Sequence, residues 1–127
     1  MNFKMSWTLD GNGGNKQISS WNDVLNQLER LQGKEGSLTL DMLTSMGTGA
    51  EMLQVRTEKG YYLMTLGEIC EDEYQVRTYW DPSISDAEIM VLGDCWLERQ
   101  LTKDFDLVVR IFKEFFDTGN VSTNLLN

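Results

Sequence analysis

The sequence predicts an α+β domain: an antiparallel β-sheet of five to six strands in the order β-α-β-β-β-β-β-α, with the C-terminal helix packed on the sheet. Three observations predict it. Apolar and polar residues alternate over several short stretches, the period of a strand with one buried face. Most of these stretches follow one another through short connections, which makes consecutive strands antiparallel. Two other segments carry apolar residues at helical spacing. At 127 residues the chain is expected to form a single globular domain, residues 1–127.

The first strand runs from Phe3 to Leu9, with Phe3, Met5, Trp7 and Leu9 on one face. Asp10-Gly-Asn-Gly-Gly-Asn15 is too rich in Gly and Asn to be regular and is expected to be a mobile loop. Ser19 or Ser20 caps a helix to about Gln32, with Asp23 in its first turn. Its stripe is Trp21, Val24, Leu25, Leu28 and Leu31, and Gly33 stops it.

Ser37–Leu43 alternates again, and Gly47-Thr-Gly49 is a flexible connection. Met52–Glu58 points Leu53 and Val55 inward, and Lys59-Gly60 is a hairpin turn. Tyr61–Leu66 is apolar on both faces, so it is expected to be covered on both sides. Glu73–Trp80 is a strand with Tyr74, Val76, Thr78 and Trp80 on one face; Asp81-Pro82 ends it, because proline has no N–H for the ladder. Glu88–Leu92 is the last short strand, closed by Gly93-Asp94, with Trp96 in a loop beyond. The final helix starts near Thr102 to Asp104 and runs to Asp117, with Gly119 as its stop. Phe105, Val108, Val109, Phe112 and Phe116 form one stripe and Leu107, Ile111 and Phe115 a second, an apolar arc that requires deep burial. Trp7, Trp21, Phe112 and Phe116 are assigned to the core, while Leu125 and Leu126 tuck against the domain.

Charge carries the functional signal. Between Glu68 and Asp94, eight acids face one base, Arg77, so this stretch holds −7 of the net −9. The acids are Glu68, Glu71, Asp72, Glu73, Asp81, Asp86, Glu88 and Asp94, interleaved with Tyr74, Tyr79, Trp80 and, just beyond, Trp96. Localised charge makes a directional field, and acids mixed with aromatics suit docking onto a basic partner. A pI near 4.4 argues against nucleic acid and anionic lipid as direct ligands. The N-terminal residues lack a charged head followed by an apolar run, and no apolar stretch reaches the ~18 residues of a membrane span, so a cytoplasmic chain is expected. Cys70 and Cys95 are expected to be reduced thiols buried as small hydrophobes.

Catalytic and cofactor patterns are weak. The chain has no histidine, the commonest general base near neutral pH. A dinucleotide fingerprint starting at Gly11 requires glycine where Lys16 stands, and no Gly-Lys-Ser/Thr occurs. A calcium loop starting at Asp10 would have Asn15 in place of glycine and Trp21 in place of glutamate. Glu71-Asp-Glu73, read as strand residues, alternate faces and chelate poorly. Two cysteines alone cannot supply a zinc site. No catalytic residue, metal or cofactor is therefore assigned.

Two segments carry a resemblance: Asp104-Phe-Asp-Leu-Val-Val-Arg-Ile-Phe-Lys-Glu-Phe-Phe-Asp-Thr-Gly-Asn-Val-Ser122, and the helix starting Trp21-Asn-Asp-Val-Leu-Asn-Gln-Leu28. With the order of elements, they make the chain resemble the small immunity proteins of bacterial contact-dependent growth-inhibition and polymorphic-toxin systems. The resemblance implies a non-enzymatic protein that binds one cognate toxin domain, often a nuclease with a basic cleft, and blocks it. It places no contact residue at an identifiable position.

The residues themselves put the partner surface among Glu68, Glu71, Asp72, Glu73, Tyr79, Trp80, Asp81, Asp86, Glu88, Asp94 and Trp96. Two alternatives use the same acids: a nucleic-acid mimic that occupies a DNA-binding protein, and a hydrolase working through two carboxylates.

Overall fold

The computed structural model describes residues 2–43 and 49–127. The connection expected at Gly47-Thr-Gly49 lies outside them except for Gly49, where a strand begins. The main sheet is antiparallel, its strands side by side in the order Asn12–Ile18, Phe3–Leu9, Gly36–Met42, Gly49–Glu58, Tyr61–Cys70 and Glu73–Thr78, with Leu101–Thr102 also beside Tyr61–Cys70.

β1 (Phe3–Leu9) alternates as its sequence dictates, burying Phe3 and Met5. The expected loop after it is instead a second strand. β2 (Asn12–Ile18) pairs with β1 along its whole length, from Leu9↔Asn12 to Phe3↔Ile18. The turn is Asp10-Gly11, both left-handed with φ 48 and 87, which a two-residue hairpin turn of this hand requires. Gly14 serves packing: a β-carbon there would lie 2.5 Å from Trp7 Cζ2, so the indole can lie across β2.

α1 (Trp21–Leu31) follows, with Ser20 as N-cap residue, and buries Val24, Gln27, Leu28 and Leu31. β3 (Gly36–Met42) pairs with β1, and β4 (Gly49–Glu58) pairs with β3. The Lys59-Gly60 turn, with both φ positive, leads into β5 (Tyr61–Cys70). β5 is longer than its apolar run, because Gly67–Cys70 pairs with β6 (Glu73–Thr78) through the two-residue turn Glu71-Asp72.

β6 and β9 (Leu101–Thr102) both pair with β5, at Thr78↔Thr65 and Leu101↔Leu63. Residues 79–100 therefore leave the sheet edge and return to it. Within this excursion β7 (Glu88–Val91) and β8 (Asp94–Leu97) form a hairpin, with Leu92-Gly93 at positive φ as its turn. Trp96 thus sits on a strand rather than in the expected loop. A 3-10 turn, Glu98–Gln100, completes the return. The excursion buries Leu63, Val91 and Leu101 together on one face of β5. Tyr62, Met64 and Leu66 are buried on the other face, so β5 is covered on both sides as its composition predicts.

α2 (Phe105–Thr118) starts at Asp104, whose carboxylate accepts from Leu107 N at 3.2 Å, and ends at Gly119 with φ 79. It buries Val108, Ile111, Phe112 and Phe115. Phe3 meets Phe115 and Phe116 with ring centroids 5.5 and 5.4 Å apart. Each such ring contributes ~2–3 kcal/mol by leaving water, so this helix–sheet contact is a main source of stability. Trp7, Trp21 and Phe116 pack against this core half-buried, and Val121 and Leu126 of the tail are fully inside it.

Candidate partner-binding surface

The acidic stretch does not form one patch; the register of β6 separates it. Glu71 and Asp72 form the turn at one end of β6, both left-handed at φ 52 and 65, and Glu73 opens the strand. Thr78 is five residues further on, ~17 Å along a strand. Asp81, Asp86 and Glu88 lie beyond that far end, in the excursion.

Two of the eight acids are neutralised by close cations. Glu68 sits 3.4 Å from Arg77 Nη1, with both side chains largely buried. Asp94, at the tip of the β7–β8 hairpin, meets Arg56 of β4 at 3.1 Å. Arg56 is also stacked 5.4 Å from the centre of the Trp96 ring. Asp81 accepts from Ser83, at 3.0 Å from its backbone N–H and 2.6 Å from its hydroxyl; the hydroxyl first and the amide second hold its carboxyl below the usual range. Glu71, Asp72 and Glu73 are exposed and form no ion pair among the described residues. They are three consecutive carboxylates left unpaired among the described residues.

The aromatics divide as well. Tyr79 packs on the main core, and burial, then Asp81 and Asp104, raise its phenol above its ordinary value. Trp96 is half-buried against the Leu63 cluster, and its buried indole N–H has no hydrogen-bond partner among the described residues. Trp80 is exposed, with the Arg99 guanidinium 5.4 Å from its ring centre. Tyr74 and Val76 are more open still, at 58% and 55%. The sequence reading did not name either as a contact residue. They occupy the sheet face opposite α2, since Arg77, the next residue after Val76, points to the helix side and is buried. The Tyr74 ring lies across Gly67, its hydroxyl in the space a β-carbon there would occupy and next to Met52. Tyr74 and Val76 with Glu71, Asp72 and Glu73 therefore form a surface that combines apolar exposure with free charge.

Both cysteines are free and exposed rather than buried. Cys70 flanks the acidic turn, and Cys95 Sγ lies 3.0 Å from Met90 Sδ on the open side of the β7–β8 hairpin. Among the described residues no group of three or more His, Cys, Asp or Glu side chains could hold a metal ion. No helix among them is long and apolar enough to cross a membrane.

Residues 2–125 match the model of a family of unknown function (DUF6911), and the chain belongs to that family. The fold is similar to that in a crystal structure of a hypothetical protein from Neisseria gonorrhoeae, with a TM-score of 0.77 at 22% identity, over 96% of this chain and 91% of that one. No curated protein matches the chain.

Proposed function

We propose that this member of the family is an immunity protein: a cytoplasmic, non-enzymatic chain that binds and neutralises a cognate bacterial toxin domain with a basic surface, such as a nuclease cleft. The observation that carries this reading is the surface on β6. Tyr74 and Val76 stand exposed beside Glu71, Asp72 and Glu73, which form no ion pair among the described residues. An apolar centre rimmed by one sign of charge has the anatomy of a protein interface. The charge also serves speed, because electrostatic steering raises association rates toward ~10⁸–10⁹ M⁻¹s⁻¹ at low salt. An inhibitor that must act before a toxin does damage benefits from that rate.

The division of the acids speaks against a nucleic-acid mimic. A mimic presents charge in a continuous row at phosphate spacing. Here the two acid groups are separated by the length of β6, and apolar side chains lie between them.

The test is co-expression of the tagged chain with the product of the adjacent open reading frame. The expected result is a product that is toxic alone, harmless together with this chain, and bound to it more weakly at 0.5 M than at 0.05 M salt. A neighbour that is neither toxic nor bound overturns the reading.

A further inference from the structure

The two outer strands of the sheet are built differently. β2 (Asn12–Ile18) is polar and glycine-bearing with Lys16 near its middle, a composition that discourages further strands from pairing. β6 carries Tyr74 and Val76 exposed, and its one cation, Arg77, is turned inward.

The backbone of β6 is open in the same place. Glu71-Asp72 is a two-residue turn, so the flanking pair Cys70↔Glu73 exchanges hydrogen bonds and the pairs alternate from there. Tyr74, Val76 and Thr78 therefore turn their N–H and C=O groups away from β5. Thr78 demonstrates this orientation. Its N–H donates to Asn127 O at 3.3 Å, and its carbonyl accepts from Asn127 N at 2.8 Å, both on the outer side. Asn127 thus pairs with the edge at Thr78. At Tyr74 and Val76 the outward backbone groups have no partner among the described residues.

We propose that this edge is a strand-addition site: an extended, lysine- or arginine-bearing segment of a partner protein pairs with Tyr74 and Val76 and continues the ladder that Asn127 begins. Main-chain hydrogen bonds supply the affinity in this mode, and alternate side chains supply selectivity. Glu71, Asp72 and Glu73 at the open end select a basic segment. A second copy of this chain is the poorer occupant, because each copy carries a net charge of −9. The inference deepens the toxin-binding reading and rests on it for the partner's identity, but its test needs no toxin.

The probe is a nine-residue peptide in which Lys alternates with Val and Thr, with a Glu-for-Lys version as control. Amide NMR signals of the ¹⁵N-labelled chain are followed during titration. The Tyr74 and Val76 amides are expected to shift with the basic peptide and far less with the acidic one. Val76→Pro deletes an outward N–H without removing a bond to β5, and edge strands accept proline. It should weaken binding by about tenfold or more, the weight of a lost edge hydrogen bond plus the ring's bulk. Val76→Thr keeps the N–H and the shape, so it should change binding by less than about threefold. Shifts centred elsewhere, or equal binding by a folded Val76→Pro variant, overturn strand addition. If a toxic neighbour is neutralised equally well by Val76→Pro, strand addition fails and the immunity reading stands. If the peptide pairs as expected but the neighbour neither kills nor binds, the edge site stands and the toxin reading fails.

Discussion

Arg77 grips the carbonyl oxygen of Leu126 with two of its nitrogens, Nε at 3.2 Å and Nη2 at 2.9 Å. Nη2 also donates to Val121 O at 2.6 Å, and Nη1 reaches Asn120 Oδ1 at 3.2 Å and Glu68 at 3.4 Å. The one base of the acidic stretch is thus a clamp that holds the C-terminal tail on β6. A planar guanidinium can satisfy several acceptors at fixed angles, which an ammonium cannot.

Replacing Arg77 by Met should therefore cost ~2–4 kcal/mol, since it strands buried carbonyls and the Glu68 carboxylate. Arg77→Lys should recover less than half of the loss. Urea denaturation measures both, and hydrogen exchange at the Asn127 amide should speed up in each variant. A cost under about 1 kcal/mol for Arg77→Met would show that the tail holds without the clamp.

Gly67 is an element of the candidate surface through Tyr74. A β-carbon at Gly67 would overlap the Tyr74 hydroxyl and lie 3.1 Å from Met52 Cγ. Gly67→Ala should push the Tyr74 ring off the sheet, with a loss of ~1–2 kcal/mol. The double variant with Tyr74→Ser should cost less than the two single changes together, with a coupling of about 1 kcal/mol in a double-mutant cycle. Strict additivity would mean that the ring does not rest on Gly67.

Much of this fold is legible in the sequence because its strands are half-buried. Phe3, Met5, Leu38, Leu40, Leu53 and Val55 alternate with polar residues, and all six are fully inside. β2 is illegible by that rule. As an edge strand it buries only Ile18 deeply, so its pairing is written in the turn Asp10-Gly11 rather than in a hydrophobic pattern. β8 is missed for the same reason, its register being set by Leu92-Gly93. The cysteines mislead because thiols are common in cores, yet Cys70 and Cys95 fall on the wet sides of a turn and a hairpin. For the surface, the count of acids is readable, but their partition is not. Which acids are neutralised depends on Arg77 and Arg56, and those pairings follow from tertiary register. Tyr74 and Val76 look like an ordinary buried face until α2 is seen to cover the other one.

Asp41 gives the fold a measurable pH response. It lies on β3 opposite Lys4 and Met52, and burial holds its carboxyl above the usual range, with Lys4 partly offsetting the shift. A carboxyl raised in the folded state opposes folding wherever it is ionised in both states. That penalty is fully present at neutral pH, fades as pH falls through the folded-state value, and is gone below ~3.9. Asp41→Asn should accordingly raise the thermal midpoint slightly at pH 7 and leave it unchanged at pH 3. A lower midpoint at pH 7 would show that the attraction to Lys4 outweighs the burial.

The acidic turn allows charge to be removed without harming the fold. Glu71 and Asp72 occupy left-handed positions, φ 52 and 65, where Asn and Gly are favoured. Lysine substitutions there would mix turn strain with charge reversal. The triple change Glu71→Asn, Asp72→Gly and Glu73→Gln removes three negative charges and suits the turn, so stability should hold or rise by ~0.5–1 kcal/mol. Association with a basic toxin partner should slow by roughly tenfold at low salt, and the dependence of the rate on salt should flatten. Dissociation should change much less, because exposed rim charges act mainly on encounter. Stopped-flow association at several salt concentrations separates these effects. An unchanged on-rate with the same salt slope would place the contact away from the β5–β6 turn and shift attention to Asp81, Asp86 and Glu88.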